Sequence, residues 1–246
     1  MGVLMGCSFY SVERGEKKIL QSRFGAKRVE VLPNCPDAPK GNGNQDKVQG
    51  TRYEVQFKNN DNKDNKDNNA LVLGYLGRIE PNKGMTELLE ALKKCKAEGR
   101  KFKVRFAGKE QTEGEYLPKF KEALGEDFEY CGLVSGEAKR EFLDSLDVFV
   151  MPTYFEGLPM SLLETMSYGT VPVVTEVGSI PTVVKEGENG LFVKVKDVES
   201  ICEALKKLDD DRCLLAKMSV EARKTIQENF SATKYVERLN AIYDSL

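Results

Sequence analysis

The sequence predicts an α/β protein in which a parallel β-sheet carries helices on both faces. Three observations indicate this class: short apolar runs fit buried strands, apolar residues recur between them at helical spacing, and the two patterns alternate from Leu71 onward. Strands that alternate with helices pair in parallel, because each crossover helix returns the chain to the edge where the previous strand began.

The predicted strands are recognised by apolar runs or by alternation. Residues 71–76 form a continuous apolar run, which is typical of a strand buried on both faces. Phe102, Val104 and Phe106 alternate with Lys103 and Arg105, as in a strand with two different faces. Further strands are predicted at residues 128–130, 148–151, 171–174 and 191–193.

The predicted helices lie between and after these strands. Apolar residues at helical spacing place them around residues 85–95, 116–124, 138–146, 159–168, 198–208 and 214–228. Ser135 is expected to cap the helix around 138–146, and Pro159 to stand in the first turn of its helix, where proline is tolerated. This order predicts a Rossmann-like domain over residues 71–230, with ligands bound beyond the carboxyl ends of the strands.

The regions that flank this domain differ from it in composition and in sequence pattern. Residues 1–37 contain short strand and helix patterns that end at Pro33-Asn34. Residues 38–70 are predicted to be a linker, in which the Asn-, Asp- and Lys-rich stretch 59–69 forms a mobile surface loop. Residues 231–246 are predicted to form a carboxyl-terminal helix, whose apolar stripe consists of Tyr235, Leu239, Ile242 and Tyr243.

The overall charge argues against several classes of partner. The formal charge of −2, from 37 basic and 39 acidic residues, gives no basic excess for nucleic acid or an anionic membrane. No apolar run approaches the roughly 18 residues of a membrane span, and the start of the chain lacks the basic region of a signal peptide. A cytoplasmic location is therefore expected, with peripheral membrane association left open.

The absence of histidine restricts the chemistry. The chain has no histidine and six scattered cysteines without a C-x-x-C pair. This excludes His-dependent triads and His-containing zinc sites, and the cysteines are expected to be reduced thiols. Phosphate or sugar chemistry must therefore rely on Arg, Lys, Glu and backbone amides.

The loop predicted after the first strand is a candidate phosphate site. Gly77 stands beside the strand end, and Gly84 opens a helix whose amino end favours anions. Arg78 offers a planar fork of donors and Lys83 a point charge, so that together they could hold a diphosphate. The alternative is that both are solvated loop charges, as most charged residues are.

Two carboxylates follow the fourth strand. Glu156 precedes a helix and Glu164 lies about two turns inside it, which suits the binding of two sets of sugar hydroxyls. The alternative is that Glu156 is a charge at the helix amino end and Glu164 is solvated. Leu162, Leu163 and Met166 surround Glu164 in the sequence, and a carboxylate among apolar residues needs a partner.

Several motifs occur in a set order along the chain: Gly77-Arg78…Lys83-Gly84, Phe106-Ala107-Gly108, Tyr130-Cys131-Gly132, residues 147–153, and Glu156-Gly-Leu-Pro…Glu164-Thr-Met-Ser-Tyr-Gly-Thr-Val-Pro-Val-Val. Together they resemble the carboxyl-terminal, donor-binding domain of retaining GT-B glycosyltransferases of the group 1 type, a group that includes glycogen and sucrose synthases. The similarity spans about residues 71–208. It extends faintly to residues 1–37, which resemble a remnant of the acceptor-side domain.

This resemblance implies roles for individual residues. Arg78 and Lys83 would bind the donor diphosphate and steady the leaving group, Glu156 would lie against the donor sugar, and Glu164 would take the ribose hydroxyls. The backbone at Leu133 and Val134 would read the base. The other substrate-binding positions implied are Gly77, Gly108, Gly157, Leu158 and Pro159. The resemblance also implies a nucleotide-sugar donor, expected to be a UDP-sugar, that is used without a metal or other cofactor. This fits the residues, since two cations and a helix terminus can replace a divalent ion.

The reaction implied is retaining hexosyl transfer in polysaccharide or glycoconjugate synthesis, to an unknown acceptor. Lys109-Glu110 and Thr182 depart from the family pattern, so the resemblance does not fix which sugar and which base the donor contains. The family's full acceptor domain is missing from the 246 residues, so a second domain or partner chain would supply the acceptor site. The alternatives are a non-catalytic nucleotide-sugar-binding module, one half of a split enzyme, and a GT-B epimerase or pyridoxal-phosphate-dependent phosphorylase.

Overall fold

A computed structural model of the chain describes residues 70–244, apart from the side chain of Ala232. The predictions for residues 1–37, and for the linker with its polar stretch 59–69, lie outside the described residues. The boundaries proposed between the four regions of the chain stay predictions.

The described strands form one parallel sheet. They are β1 (Leu71–Leu76), β2 (Phe102–Ala107), β3 (Phe128–Tyr130), β4 (Val148–Met151), β5 (Val171–Thr175) and β6 (Leu191–Val193). The six-stranded sheet has the order β3-β2-β1-β4-β5-β6, and every neighbouring pair is parallel. The predicted α/β class is therefore confirmed. The strand order places β1 directly beside β4, which brings the loops that follow these strands together.

The helices follow the strands as predicted, with shifted ends. They are α1 (Met85–Ala97), α2 (Leu117–Leu124), α3 (Gly136–Asp144), α4 (Met160–Ser167), α5 (Val198–Asp210), α6 (Arg212–Asn229) and α7 (Ala232–Tyr243). Short 3-10 turns occur at Pro81–Lys83, Gly125–Asp127 and Ile180–Thr182. In the part of the chain that the structure describes, none of the helices is long and apolar enough to cross a membrane.

The two faces of β1 show why the strand sequence is continuously apolar. Leu71, Leu73 and Tyr75 belong to the large core cluster, which also contains the buried residues of α1 and α2. Val72 lies on the other face and packs against a smaller cluster with Phe142 of α3. Residues at successive positions of a strand point to opposite faces, so a strand covered on both sides needs apolar residues throughout.

Three local predictions were inaccurate. Ser135 occupies the predicted N-cap position of α3, but its side chain does not make the expected capping hydrogen bond. Leu146 lies beyond the end of α3, and Pro159 precedes α4 instead of lying in its first turn. Apolar spacing reports which residues face the core, and it does not report where the backbone hydrogen bonds of a helix begin and end.

Candidate functional site

Five loops come together at one edge of the sheet. They follow β1, β2, β3, β4 and β5 and contain residues 77–84, 108–116, 131–135, 152–159 and 176–181. Because the strands are parallel, their carboxyl ends meet at the same edge. In sheets of this kind ligands bind in that crevice. All the site residues predicted from the sequence lie in these loops, except Glu164, which lies in the second turn of α4.

The glycines after β1 and β2 allow the first two loops to approach closely. Gly77 donates its N–H to the carbonyl of Ala107 at 3.0 Å, and Gly108 donates to the carbonyl of Gly132 at 2.9 Å. Gly108 has a φ of +134°, and a Cβ added there would overlap the carbonyl oxygen of Gly77 and lie 2.7 Å from its carbonyl carbon. A side chain at position 108 would therefore separate the two loops.

Lys83 joins the loop after β1 to the loop after β4. It ends the 3-10 turn before α1, and its Nζ donates a hydrogen bond to Oε1 of Glu156. The Lys83 side chain is only 10% exposed, so this charge is largely withdrawn from water. Burial of a charge is costly unless it is paired, and the carboxylate of Glu156 is the partner of Lys83.

Backbone contacts hold the same two loops in place. Tyr154 donates its N–H to the carbonyl of Asn82 at 2.9 Å, and the Thr153 hydroxyl donates to that carbonyl at 3.2 Å. The Thr175 hydroxyl donates to the carbonyl of Thr153 at 2.6 Å, which ties in the strand end of β5. Lys83 and Glu156 are thus brought together by the loop backbones as well as by their own attraction.

Arg78 differs from Lys83 in being mostly in solvent. Its side chain is 67% exposed, and its Nη2 lies 3.4 Å from Oε1 of Glu80. The Tyr75 hydroxyl donates to the Arg78 carbonyl at 2.5 Å. Burial raises the pKa of Tyr75 far above its usual range, and the negative charges of Glu156 and Glu80 raise it further.

Glu164 has the partner that its apolar surroundings require. Nζ of Lys139, on α3, donates to its Oε1 at 2.7 Å. Glu156 therefore pairs with a lysine in the loop after β1, whereas Glu164 pairs with a lysine on α3. Nothing in the local sequence around Lys139 indicates this contact, because it joins elements that are 25 residues apart.

The remaining predicted positions line the same edge. Leu133 follows β3 and is 78% exposed, whereas Val134 packs partly against the cluster around α3. Leu158 packs partly against the main core. Gly157, between Glu156 and Leu158, accepts a hydrogen bond on its carbonyl from the N–H of Ser179 at 3.0 Å.

Glu110, which departs from the family pattern, has a structural role. Its carboxylate accepts hydrogen bonds from the backbone N–H groups of Gly114, Tyr116 and Leu117, at 2.9, 2.6 and 2.9 Å. Burial alone would raise the pKa of Glu110, but these three bonds outweigh it and the pKa is lowered. The carboxylate thus satisfies N–H groups at the start of α2, and no sequence argument anticipated this.

The expectation that no metal takes part stays a prediction. Within residues 70–244 the structure contains no group of three or more Cys, Asp or Glu side chains placed to hold a metal ion.

Comparison with known proteins decides the family. Residues 56–225, more than half of the chain, match the family model described as glycosyl transferases group 1. The chain belongs to this family. A curated relative, the capsular polysaccharide biosynthesis glycosyltransferase CapM of Staphylococcus aureus, is 28% identical over 208 residues, which are 83% of this chain and 54% of the relative. The chain thus spans about half the length of this relative.

A second relative is the UDP-Gal:alpha-D-GlcNAc-diphosphoundecaprenol alpha-1,3-galactosyltransferase of Escherichia coli. It is 32% identical over 101 residues, which are 41% of this chain and 26% of that protein. Among solved structures, the sucrose-phosphate synthase of Thermosynechococcus elongatus has a TM-score of 0.70 at 16% identity, over 95% of this chain and 57% of that one. Anabaena Alr3699/HepE in complex with UDP has a TM-score of 0.65 at 19% identity, over 72% of this chain and 50% of that one. The two solved structures show that this chain shares their fold.

Proposed function

We propose that this chain binds the nucleoside-diphosphate sugar of a retaining glycosyltransferase that makes a polysaccharide or glycoconjugate. The observation that carries the proposal is the Lys83–Glu156 pair, in which a largely buried cation and a carboxylate meet where the loops after β1 and β4 come together. The proposed donor is a UDP-hexose. This is supported by the galactosyltransferase relative, whose name specifies UDP-Gal, and by the UDP bound to Anabaena HepE.

In this proposal Arg78 and Lys83 bind the diphosphate from two sides. The amino end of α1 adds favourable backbone dipoles, because α1 begins two residues after Lys83. Gly84, at the cap, has a φ of +71°, and an added Cβ would overlap the carbonyl oxygen of Pro152 and lie 2.9 Å from its carbonyl carbon. Glycine therefore lets the helix terminus and its lysine approach the neighbouring loop. Fixed positive charge beside the departing diphosphate stabilises the charge that develops in the transition state.

Glu156 and Glu164 act on the sugars in this scheme. A diphosphate that binds Lys83 takes the place of Glu156 as its partner, and Glu156 then becomes free to accept hydrogen bonds from hydroxyls of the donor sugar. Glu164, held by Lys139, accepts from the ribose. The backbone at Leu133 and Val134 contacts the base. Glycosyl transfer also needs an acceptor held close to the anomeric carbon, and we propose that a second domain or a partner chain provides that surface.

Calorimetry on the Lys83→Ala variant tests the proposal. Titration of the full chain with UDP-glucose, UDP-galactose and UDP-N-acetylglucosamine should reveal a donor that binds. The Lys83→Ala variant should weaken that binding by about 1.5–3 kcal/mol, the usual contribution of a hydrogen bond to a charged group. Lys93→Ala is the matched control, because Lys93 is an exposed lysine of α1 that pairs with Glu90 at 2.9 Å. Equal affinities for the wild type and the Lys83→Ala variant would refute the assignment.

A further inference from the structure

The loop after β1 contains an acidic residue between its two cations. Glu80 lies between Arg78 and Lys83, and Glu156 reaches Lys83 from the loop after β4. Each cation of the proposed diphosphate site is therefore already paired with a carboxylate, and the four formal charges of these two pairs cancel. The two carboxylates therefore offset the attraction that the two cations exert on an entering diphosphate.

Glu80 is an unusual partner for Arg78. Its side chain is only 7% exposed, yet no residue that the structure describes donates a hydrogen bond to its Oε1, although that oxygen is buried. The guanidinium of Arg78, at 3.4 Å, is too far or too poorly aligned to form one. A buried carboxylate oxygen without a hydrogen bond costs free energy, so structural stability alone does not account for a glutamate at this position.

We propose that Glu80 makes the site discriminate against the nucleoside diphosphate product in favour of the nucleoside-diphosphate sugar. The proposal rests on the diphosphate site proposed above. A free nucleoside diphosphate ends in a terminal phosphate that carries about one more negative charge at neutral pH than the sugar-substituted diphosphate. A fixed negative charge beside Arg78 repels the more highly charged ligand more strongly. Glu80 thus weakens product binding more than donor binding, and it favours release of the product after transfer.

Glu80 could instead serve only to orient Arg78, and the two roles predict opposite signs. Orientation by Glu80 would strengthen binding, so its loss would weaken the affinity for diphosphates. The geometry argues against this role, because an ion pair without a hydrogen bond to a mostly exposed arginine stabilises little. Repulsion from a buried carboxylate is less screened by solvent, so we expect it to dominate.

The Glu80→Gln variant of the full chain separates these roles, since glutamine keeps the shape and removes the charge. Calorimetry with UDP, UDP-glucose and uridine measures the effect on three ligands of decreasing charge. We expect the affinity for UDP to rise by about tenfold and that for UDP-glucose by about fivefold, in proportion to ligand charge. Uridine, which has no phosphate, should bind the variant and the wild type equally.

The control is Glu126→Gln, which changes the net charge equally at the opposite edge of the sheet. Glu126 precedes β3, and its side chain is almost fully exposed. Equal or weaker UDP binding by the Glu80→Gln variant would overturn the inference, and so would a gain that is the same for UDP, UDP-glucose and uridine. If the wild type binds neither UDP nor UDP-glucose, the proposed function fails and this inference fails with it. Thermal unfolding of each variant confirms that it is folded.

Discussion

Gly178 is the position where a single methyl group should disturb the loop that carries Glu156. It lies in the loop after β5 with a φ of +57°. A Cβ added there would overlap the carbonyl oxygen of Glu156, and it would lie 2.8 Å from the carbonyl carbon of Glu156 and 3.0 Å from the carbonyl oxygen of Gly157. Because all three atoms belong to the backbone, Gly178→Ala must displace one loop from the other.

Two contributions set the expected size of the effect. Alanine in the left-handed region costs about 1–2 kcal/mol relative to its preferred conformations. A backbone shift that relieves the overlap costs about 1–3 kcal/mol more, which is the usual cost of overpacking a protein core. The sum predicts that Gly178→Ala lowers the free energy of unfolding by about 2–5 kcal/mol.

Gly187→Ala is a matched control, since it has the backbone cost without the overlap. Gly187 has a φ of +75°, and a Cβ added there would meet nothing within 4 Å. Both variants also reduce the conformational freedom of the unfolded chain equally, so this contribution cancels in the comparison. Gly187→Ala should therefore cost about 1–2 kcal/mol at most.

Urea unfolding of the two variants, with m-values compared, measures the difference. Calorimetry with the bound nucleotide sugar should also show weaker binding to the Gly178→Ala variant, because the displaced loop carries Glu156. Equal losses of stability in the two variants would show that the close approach of Gly178 to Glu156 is not a feature of the folded protein.

Two further predictions concern the carboxylate at the start of α2 and the transfer reaction. Because the pKa of Glu110 is lowered in the folded protein, its hydrogen bonds stabilise the fold at pH values above its ordinary pKa of 4.5. This stabilisation is lost as the pH falls through the pKa of the folded state. The difference in unfolding free energy between the wild type and Glu110→Gln should therefore shrink below about pH 4.5 in urea titrations, and a difference independent of pH would contradict this account. The purified chain should bind its donor but transfer sugar poorly to a mixed acceptor pool unless a partner chain is added, because positioning of the acceptor supplies much of the rate. Robust multiple-turnover transfer by the chain alone would refute that expectation.

The amino-acid sequence by itself determined the type and order of the described strands and helices. Strands β1 and β4, and the Val171–Val174 part of β5, are covered on both faces and are apolar, which makes them recognisable without a structure. Alternation of strand and helix then implies a parallel sheet, and a parallel sheet implies a site at the carboxyl ends. The candidate loops with Arg78, Lys83 and Glu156 followed from this reasoning and from the family motifs.

Only the tertiary structure decided which charges face one another. Lys83 and Glu156 are 73 positions apart, and they meet because β1 lies beside β4 in the sheet. The pairing of Lys139 with Glu164 and the burial of Glu80 depend in the same way on how elements pack. Hydrophobic periodicity reports the environment of each element separately, and it contains no information about which loops become neighbours. The charge balance of the site is set by those neighbours, because ion pairs act over a few ångströms of space at any separation along the chain.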